Sequence, residues 1–300
     1  MKKLAIALVA TAAMAGAAFA ESHAIAEFNI GILGGENAQD RLTSTECLRA
    51  AVEKELGVPV KLFTPADYDG VIQGLLGGTL DYAWLGASAY AKTYLTDPQA
   101  VEVMLTKQNV DGSTGYYAIG FARKDAGITN MDAAKGKTFA FADPNSTSGF
   151  LVPAAELTAK YGKLEDYFAE VKMSGGHEQT IVGVANGDFE AGVSWADGLG
   201  NWEDGFTSGA FRKAADAGLV DMNNIVEIWR STMIPEGPLV VRKALPQDVK
   251  DKIYALMDTM WETDKACAYN VAAGDAKDFV PVKHEDYQGI LDARKMQEGM

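Results

Sequence analysis

Short apolar strands alternate with helical segments twice along this chain, and no flexible linker separates the two series. Residues 27–33, 58–63 and 80–85 read as buried strands. Between them, residues 43–56 and 68–76 repeat apolar side chains at three or four residues. Such a β-α-β-α-β order demands crossover connections, and those place helices on the faces of a parallel sheet. The theme returns between residues 132 and 201, with strands at 137–142, near 168–173 and at 191–195, and a helix near 179–186. Strand 116–123 leads into this second unit. Strand 225–229 leads out of it to Ile234-Pro235-Glu236-Gly237-Pro238, and residues 246–263 predict one long amphipathic helix. The pattern implies an α/β fold of two lobes joined by paired extended crossings near 116–123 and 229–238. Residues 21–119 with 236–300 form the discontinuous first lobe and residues 120–235 the second. A ligand of such a fold sits in the cleft, at the C-terminal ends of the strands.

The first twenty residues stand outside that scheme. Lys2 and Lys3 precede a short apolar stretch that ends in Ala18-Phe19-Ala20, the pattern of a secretory signal peptide cleaved after Ala20. No cysteine follows to carry a lipid anchor, so a free periplasmic protein is the expectation. The formal net charge is −14, and loss of the two leader lysines takes it to −16. Charge of that sign opposes nucleic acid and anionic lipid. It also means that any anion site must rest on local dipoles and hydrogen bonds. Two cysteines and three histidines make no convincing metal site, and no cofactor is implied. Cys47 and Cys267 both lie in helix-like segments far apart in the chain. Export permits a disulfide between them, and geometry decides whether one forms.

Asp143-Pro144-Asn145-Ser146-Thr147-Ser148-Gly149-Phe150 follows the strand at 137–142 and precedes an apolar helical run. Three consecutive hydroxyls therefore fall where backbone N–H groups are unpaired and the helix dipole favours negative charge. One hydroxyl suffices for a helix cap. Three make a cradle for a tetrahedral oxyanion. The run Gly31-Ile32-Leu33-Gly34-Gly35 lacks the glycine spacing of a dinucleotide loop and reads as a tight turn.

With these features the sequence resembles the phosphonate-binding proteins of bacterial ABC importers, a type II two-lobed solute-binding fold with its ligand in the inter-lobe cleft. The resemblance is carried by 66–74, 81–86, 112–117, 143–153, Gly176-His177-Glu178, 184–187, and 234–238 with Val241-Arg242-Lys243. It implies that Ser146, Thr147 and Ser148 hold phosphonate oxygens, and that Tyr68, Tyr116 and His177 complete the anion cage. Asp197 matches a position that holds the ligand amine in aminoethylphosphonate binders. A second acidic position of that pattern is Gly237 here, with Glu236 one residue earlier as a possible substitute and Trp84 as a possible further contact. The resemblance also implies a permease and an ATPase as partners, no enzymatic activity, and 2-aminoethylphosphonate as the favoured ligand. Phosphite, phosphate and methylphosphonate are the alternatives.

Each of these residues has an ordinary explanation too. Tyrosines commonly pack, loop carboxylates such as Asp197 are commonly solvated, and Trp195 reads as core. Tyr116 and Tyr117 alternate across a strand, so only one of them can face the cleft. A serine hydrolase built from Ser146 or Ser148, His177 and Asp197 is the rival of another class. It lacks the Gly-x-Ser-x-Gly elbow, and its order of residues is wrong for an α/β hydrolase. The charged C-terminal segment reads as solvated, and a monomer is expected.

Overall fold

A computed structural model describes residues 25–34 and 38–299. The expected signal peptide and its cleavage site lie outside the described residues. The strands are β1 (Phe28–Gly31), β2 (Val60–Phe63), β3 (Tyr82–Trp84), β4 (Val101–Gln108), β5 (Gly115–Arg123), β6 (Thr138–Phe141), β7 (Glu170–Met173), β8 (Ala191–Ala196), β9 (Ile225–Arg230), β10 (Ile234–Pro235), β11 (Leu239–Arg242) and β12 (Asp278–Pro281). The helices are α1 (Ala38–Leu56), α2 (Tyr68–Leu76), α3 (Ala87–Thr96), α4 (Val152–Tyr161), α5 (Leu164–Tyr167), α6 (His177–Asn186), α7 (Ala210–Asp216), α8 (Gln247–Asp258), α9 (Met260–Thr263), α10 (Lys265–Ala272) and α11 (Gln288–Glu298).

Two sheets result. The first runs β12-β4-β11-β3-β1-β2 and the second β10-β5-β8-β6-β7, with β9 also on β5. The three strands read from the first unit pair in parallel, β1 with β2 and with β3. In the second, β6 pairs in parallel with β7 and β8. Both sheets are completed by antiparallel strands. β11 returns from the far end of the chain to insert between β3 and β4, and β5 pairs antiparallel with β8. Expectation and structure agree on two α/β units; local pattern does not announce β4, α3 and β12, nor the antiparallel pairing of β5, β9 and β11.

Each sheet is buried on both faces. The first packs α1, α8 and α10 on one side and α2, α3 and α11 on the other. In the second, Leu157 of α4 and Leu164 of α5 cover one face, while Ile181 of α6 and Phe211 of α7 cover the other. The alternation on β5 is what period two requires: Tyr116 and Ala118 join one cluster, Ile119 and Phe121 the other. β5 belongs whole to the second sheet, so the boundary expected after residue 119 falls within a strand. The chain crosses between sheets at 109–114 and again at 236–238. The helix expected over 246–263 is interrupted at Thr259, whose φ of −103° and ψ of 2° separate α8 from α9.

Cys47 and Cys267 are joined in a disulfide, with Cα atoms 5.7 Å apart. The bond ties α1 to α10.

Candidate functional site

The Asp143–Phe150 run folds as its chemistry directs. Asp143 accepts the Asn145 N–H at 2.7 Å through its own side chain, which closes an Asx turn around Pro144. Ser146 then caps the helix by accepting the Gly149 N–H at 3.0 Å. The first turn, Thr147–Leu151, is π-helical rather than the plain helix start expected, and the Leu151 N–H donates five residues back to the Ser146 carbonyl. Such wide single turns recur at functional sites. Ser146, Thr147 and Ser148 are each at most 2% exposed, and all three border a space between the two sheets. First-turn N–H groups have no intrahelical acceptor and add to the donors there.

That space is a cavity of about 220 Å³ between the two sheets. Tyr68, Trp84, Tyr116, Ser146, Thr147, Ser148, His177 and Glu236 all line it, which brings together eight of the nine residues singled out in the sequence. His177 opens α6, and its ring lies between two buried serines, with Nε2 3.0 Å from Ser146 Oγ and Nδ1 3.2 Å from Ser194 Oγ. Gly149 makes this approach possible, because a Cβ there would stand 3.0 Å from His177 Cε1 and 2.6 Å from Ala142 Cβ. Burial pushes the Tyr116 phenol well above its ordinary pKa, against a smaller opposing effect of hydrogen bonds with Ser148 and Thr147. Tyr116 therefore stays protonated and can donate. Tyr117 points the other way and lies under the Arg230 guanidinium, 5.2 Å from its ring centroid.

The same run is clasped by the other sheet's helices. Asp143 accepts the N–H of Tyr68, the first residue of α2, at 3.3 Å. Thr147 Oγ1 accepts the N–H of Ser88 in the first turn of α3 at 2.9 Å. Arg294 of α11 donates to the Pro144 carbonyl at 3.1 Å and to Asn145 Oδ1 at 2.8 Å.

Asp197 departs from expectation. Its carboxylate accepts from the Thr207 hydroxyl, from the Ser208 hydroxyl at 3.1 Å and from the Leu199 N–H at 3.1 Å, and it does not line the cavity. No Ser–His–Asp relay is assembled, since Asp197 is engaged elsewhere and His177 Nδ1 meets Ser194. Trp195, expected in the core, packs against both core clusters of the second sheet and also lines the cavity, 5.4 Å from Tyr116 and 6.4 Å from His177 between ring centroids. Trp84 both lines the cavity and stacks edgewise on Phe279, 5.0 Å away.

Gly237 explains the missing acidic side chain. A Cβ at that position would lie 2.0 Å from the Leu85 carbonyl oxygen, so any side chain there collides with backbone. Its own carbonyl accepts from Trp84 Nε1 at 2.8 Å and from Thr106 Oγ1 at 2.9 Å, which holds the crossing against β3 and β4. Glu236 carries the carboxylate instead, and it is already paired. Lys107 Nζ lies 2.8 Å from its Oε1, with both side chains less than a tenth exposed. Burial holds the Glu236 carboxyl above its ordinary pKa, opposed by Lys107 and reinforced by the nearby Asp197 charge. Lys107 also lines the cavity. In sequence it is a lysine inside an unrecognised strand, and only the apolar neighbours at 103–105 hint that it is buried.

Residues 30–287 match the family described as ABC transporter, phosphonate, periplasmic substrate-binding protein. A phosphonates-binding periplasmic protein of Escherichia coli (strain K12) is 34% identical over 230 residues, which cover 75% of this chain and 64% of that one. The phosphate-import protein PhnD of Mycolicibacterium smegmatis is 28% identical over 270 residues, 85% of this chain and 81% of that one. In fold, the chain is similar to PhnD1 of Prochlorococcus marinus in complex with methylphosphonate, with a TM-score of 0.77 at 19% identity over 92% of this chain and 99% of that one.

Proposed function

This chain belongs to the ABC-transporter family of periplasmic phosphonate-binding proteins, and from that premise we propose how it works. It captures a small organophosphonate between two lobes and delivers it to a membrane permease driven by an ATPase. The two sheets, with the crossings at 109–114 and 236–238, support reading them as the lobes. The carrying observation is the cavity between the two sheets that Ser146, Thr147 and Ser148 line, with His177 beside them. A phosphonate bears up to two negative charges, and hydroxyl and backbone donors must replace its water. Ser146, Thr147, Ser148, Tyr116, Tyr68 and His177 are the donors assigned to its oxygens. Nothing here needs to break a bond. Capture shifts the population toward the closed arrangement, in which α2, α3 and α11 clasp the 143–147 segment.

Ligand identity is decided at the other end of the cavity. 2-Aminoethylphosphonate needs a carboxylate free to receive its ammonium. Asp197 already accepts from Thr207, Ser208 and Leu199, and Glu236 is paired with Lys107. These contacts favour a ligand without an amine, of the size of methylphosphonate, with phosphite and phosphate as the nearest competitors. Calorimetry with methylphosphonate, 2-aminoethylphosphonate, phosphite and phosphate tests the reading. Ser148→Ala should weaken the tightest of these by about 10- to 150-fold, the worth of one hydrogen bond to a charged group. Binding of none of the four, or unchanged affinity in Ser148→Ala, would refute it.

A further inference from the structure

We propose that Lys107 sets the ligand specificity of this cavity, by filling from within the place that a ligand's cationic group would occupy. The inference rests on the phosphonate-capture reading above and deepens it. A cage for a cation is built beside the oxyanion cradle. Its parts are the Glu236 carboxylate, the Ser208 hydroxyl with the Asp197 carboxylate behind it, and the face of Trp195. The Lys107 ammonium is held by all of them. It pairs with Glu236 Oε1 at 2.8 Å, donates to Ser208 Oγ at 2.7 Å, and lies 5.4 Å from the Trp195 ring centroid. Ser208 in turn donates to Asp197 Oδ2 at 3.1 Å, which links the ammonium to that carboxylate through one hydroxyl. The assembly joins β4, the 207–209 segment and the crossing at 236–238, so it forms where the two sheets meet.

Two consequences follow for a phosphonate with an amine tail. Its ammonium would have to compete with Lys107 for the Glu236 carboxylate and would lose water in doing so. It would also stand beside a fixed ammonium, a repulsion that selects against it as a like charge does across any interface. A phosphonate with a short neutral tail meets neither penalty. Lys107 therefore acts as a specificity residue by exclusion, while the hydroxyl cradle supplies the affinity common to all phosphonates.

The test is calorimetry of the mature protein and of Lys107→Ala and Lys107→Gln, each with methylphosphonate and with 2-aminoethylphosphonate. The wild type should prefer methylphosphonate by roughly 100-fold or more. Both variants should move that ratio toward 2-aminoethylphosphonate by at least about tenfold, because each removes the fixed positive charge beside Glu236. Lys107→Gln keeps a donor for Glu236 and Ser208, so it carries the test if Lys107→Ala fails to fold. Equal wild-type affinity for the two ligands overturns the proposal, and so does an unmoved ratio in the folded variants. A wild type that binds neither ligand removes the phosphonate reading itself. Tight methylphosphonate binding with an unmoved ratio removes the role of Lys107 alone.

Discussion

Arg294→Met should weaken ligand binding although Arg294 is far from the cradle in sequence and is not among the residues lining the cavity. Its guanidinium reaches from α11 to the Pro144 carbonyl and Asn145 Oδ1, at 3.1 and 2.8 Å, and so bonds one sheet's helix to the other sheet's loop. The side chain is only 5% exposed, so these contacts are little screened by solvent. A hydrogen bond to a charged group contributes about 1.5–3 kcal/mol net. Opening rehydrates the guanidinium and the two acceptors, so a combined loss of about 2–3 kcal/mol is the reasonable magnitude. If the open form dominates without ligand, apparent affinity scales with the stability of the closed form. The loss then becomes a drop of about 30- to 150-fold in affinity. Methionine keeps the length of the apolar stem but also gives up the bonds to Ser88 Oγ of α3, at 3.3 Å, and to Glu298, which is itself partly exposed. Calorimetry with methylphosphonate measures the affinity, and small-angle scattering with and without ligand measures closure. Affinity within twofold of wild type would refute the reasoning. A fall in unliganded melting temperature with intact affinity would assign Arg294 to folding rather than closure.

Other expectations concern the frame of the site. Replacing both Cys47 and Cys267 by serine should lower the melting temperature measurably, since the closed loop spans 220 residues and loop entropy alone sets an upper value of about 5 kcal/mol; an unchanged thermal melt would show that α1 and α10 are held by packing. Gly237→Ala should destabilise by at least about 1–3 kcal/mol in chemical denaturation, because its Cβ would overlap the Leu85 carbonyl and force the crossing off β3. Glu236 has a folded pKa raised by burial, so the folded chain holds its proton more tightly than the unfolded chain does. Its contribution therefore favours folding at pH below the ordinary carboxyl value and declines as pH rises through the raised one. Wild type should thus lose stability relative to Glu236→Gln as pH is raised from about 4 upward, and a pH-independent difference between their melting temperatures would contradict this.

Much of the site is legible in the sequence because it is local. Asp143, Ser146 and Gly149 act on backbone groups within a few residues, through an Asx turn and a cap, so their arrangement is written in the order of the residues. His177 falls at the start of its helix, and the period of two on β5 separates Tyr116 from Tyr117. Asp197 is a case where position misleads. It does follow β8 at a strand end, but the Thr207 and Ser208 hydroxyls, ten and eleven residues on, claim its carboxylate. Trp195 does pack on the core as a tryptophan on a buried strand should, but it also forms a cavity wall, which its position alone does not announce.

By itself, the sequence determined the two α/β units, the hydroxyl turn at the end of β6 and the absence of an acidic residue at position 237. These depend on periodicity, turn chemistry and residue identity, which act over a few residues. Only the tertiary structure decided that Lys107 answers Glu236, that Arg294 reaches Asn145 and that Cys47 meets Cys267. Those pairings join segments that the order of residues leaves far apart. They depend on how β11 inserts beside β4 and how the two sheets approach. The energy of a buried charge depends on distance through space, and it is that distance, 2.8 Å from Lys107 Nζ to Glu236 Oε1, that the order of residues does not reveal.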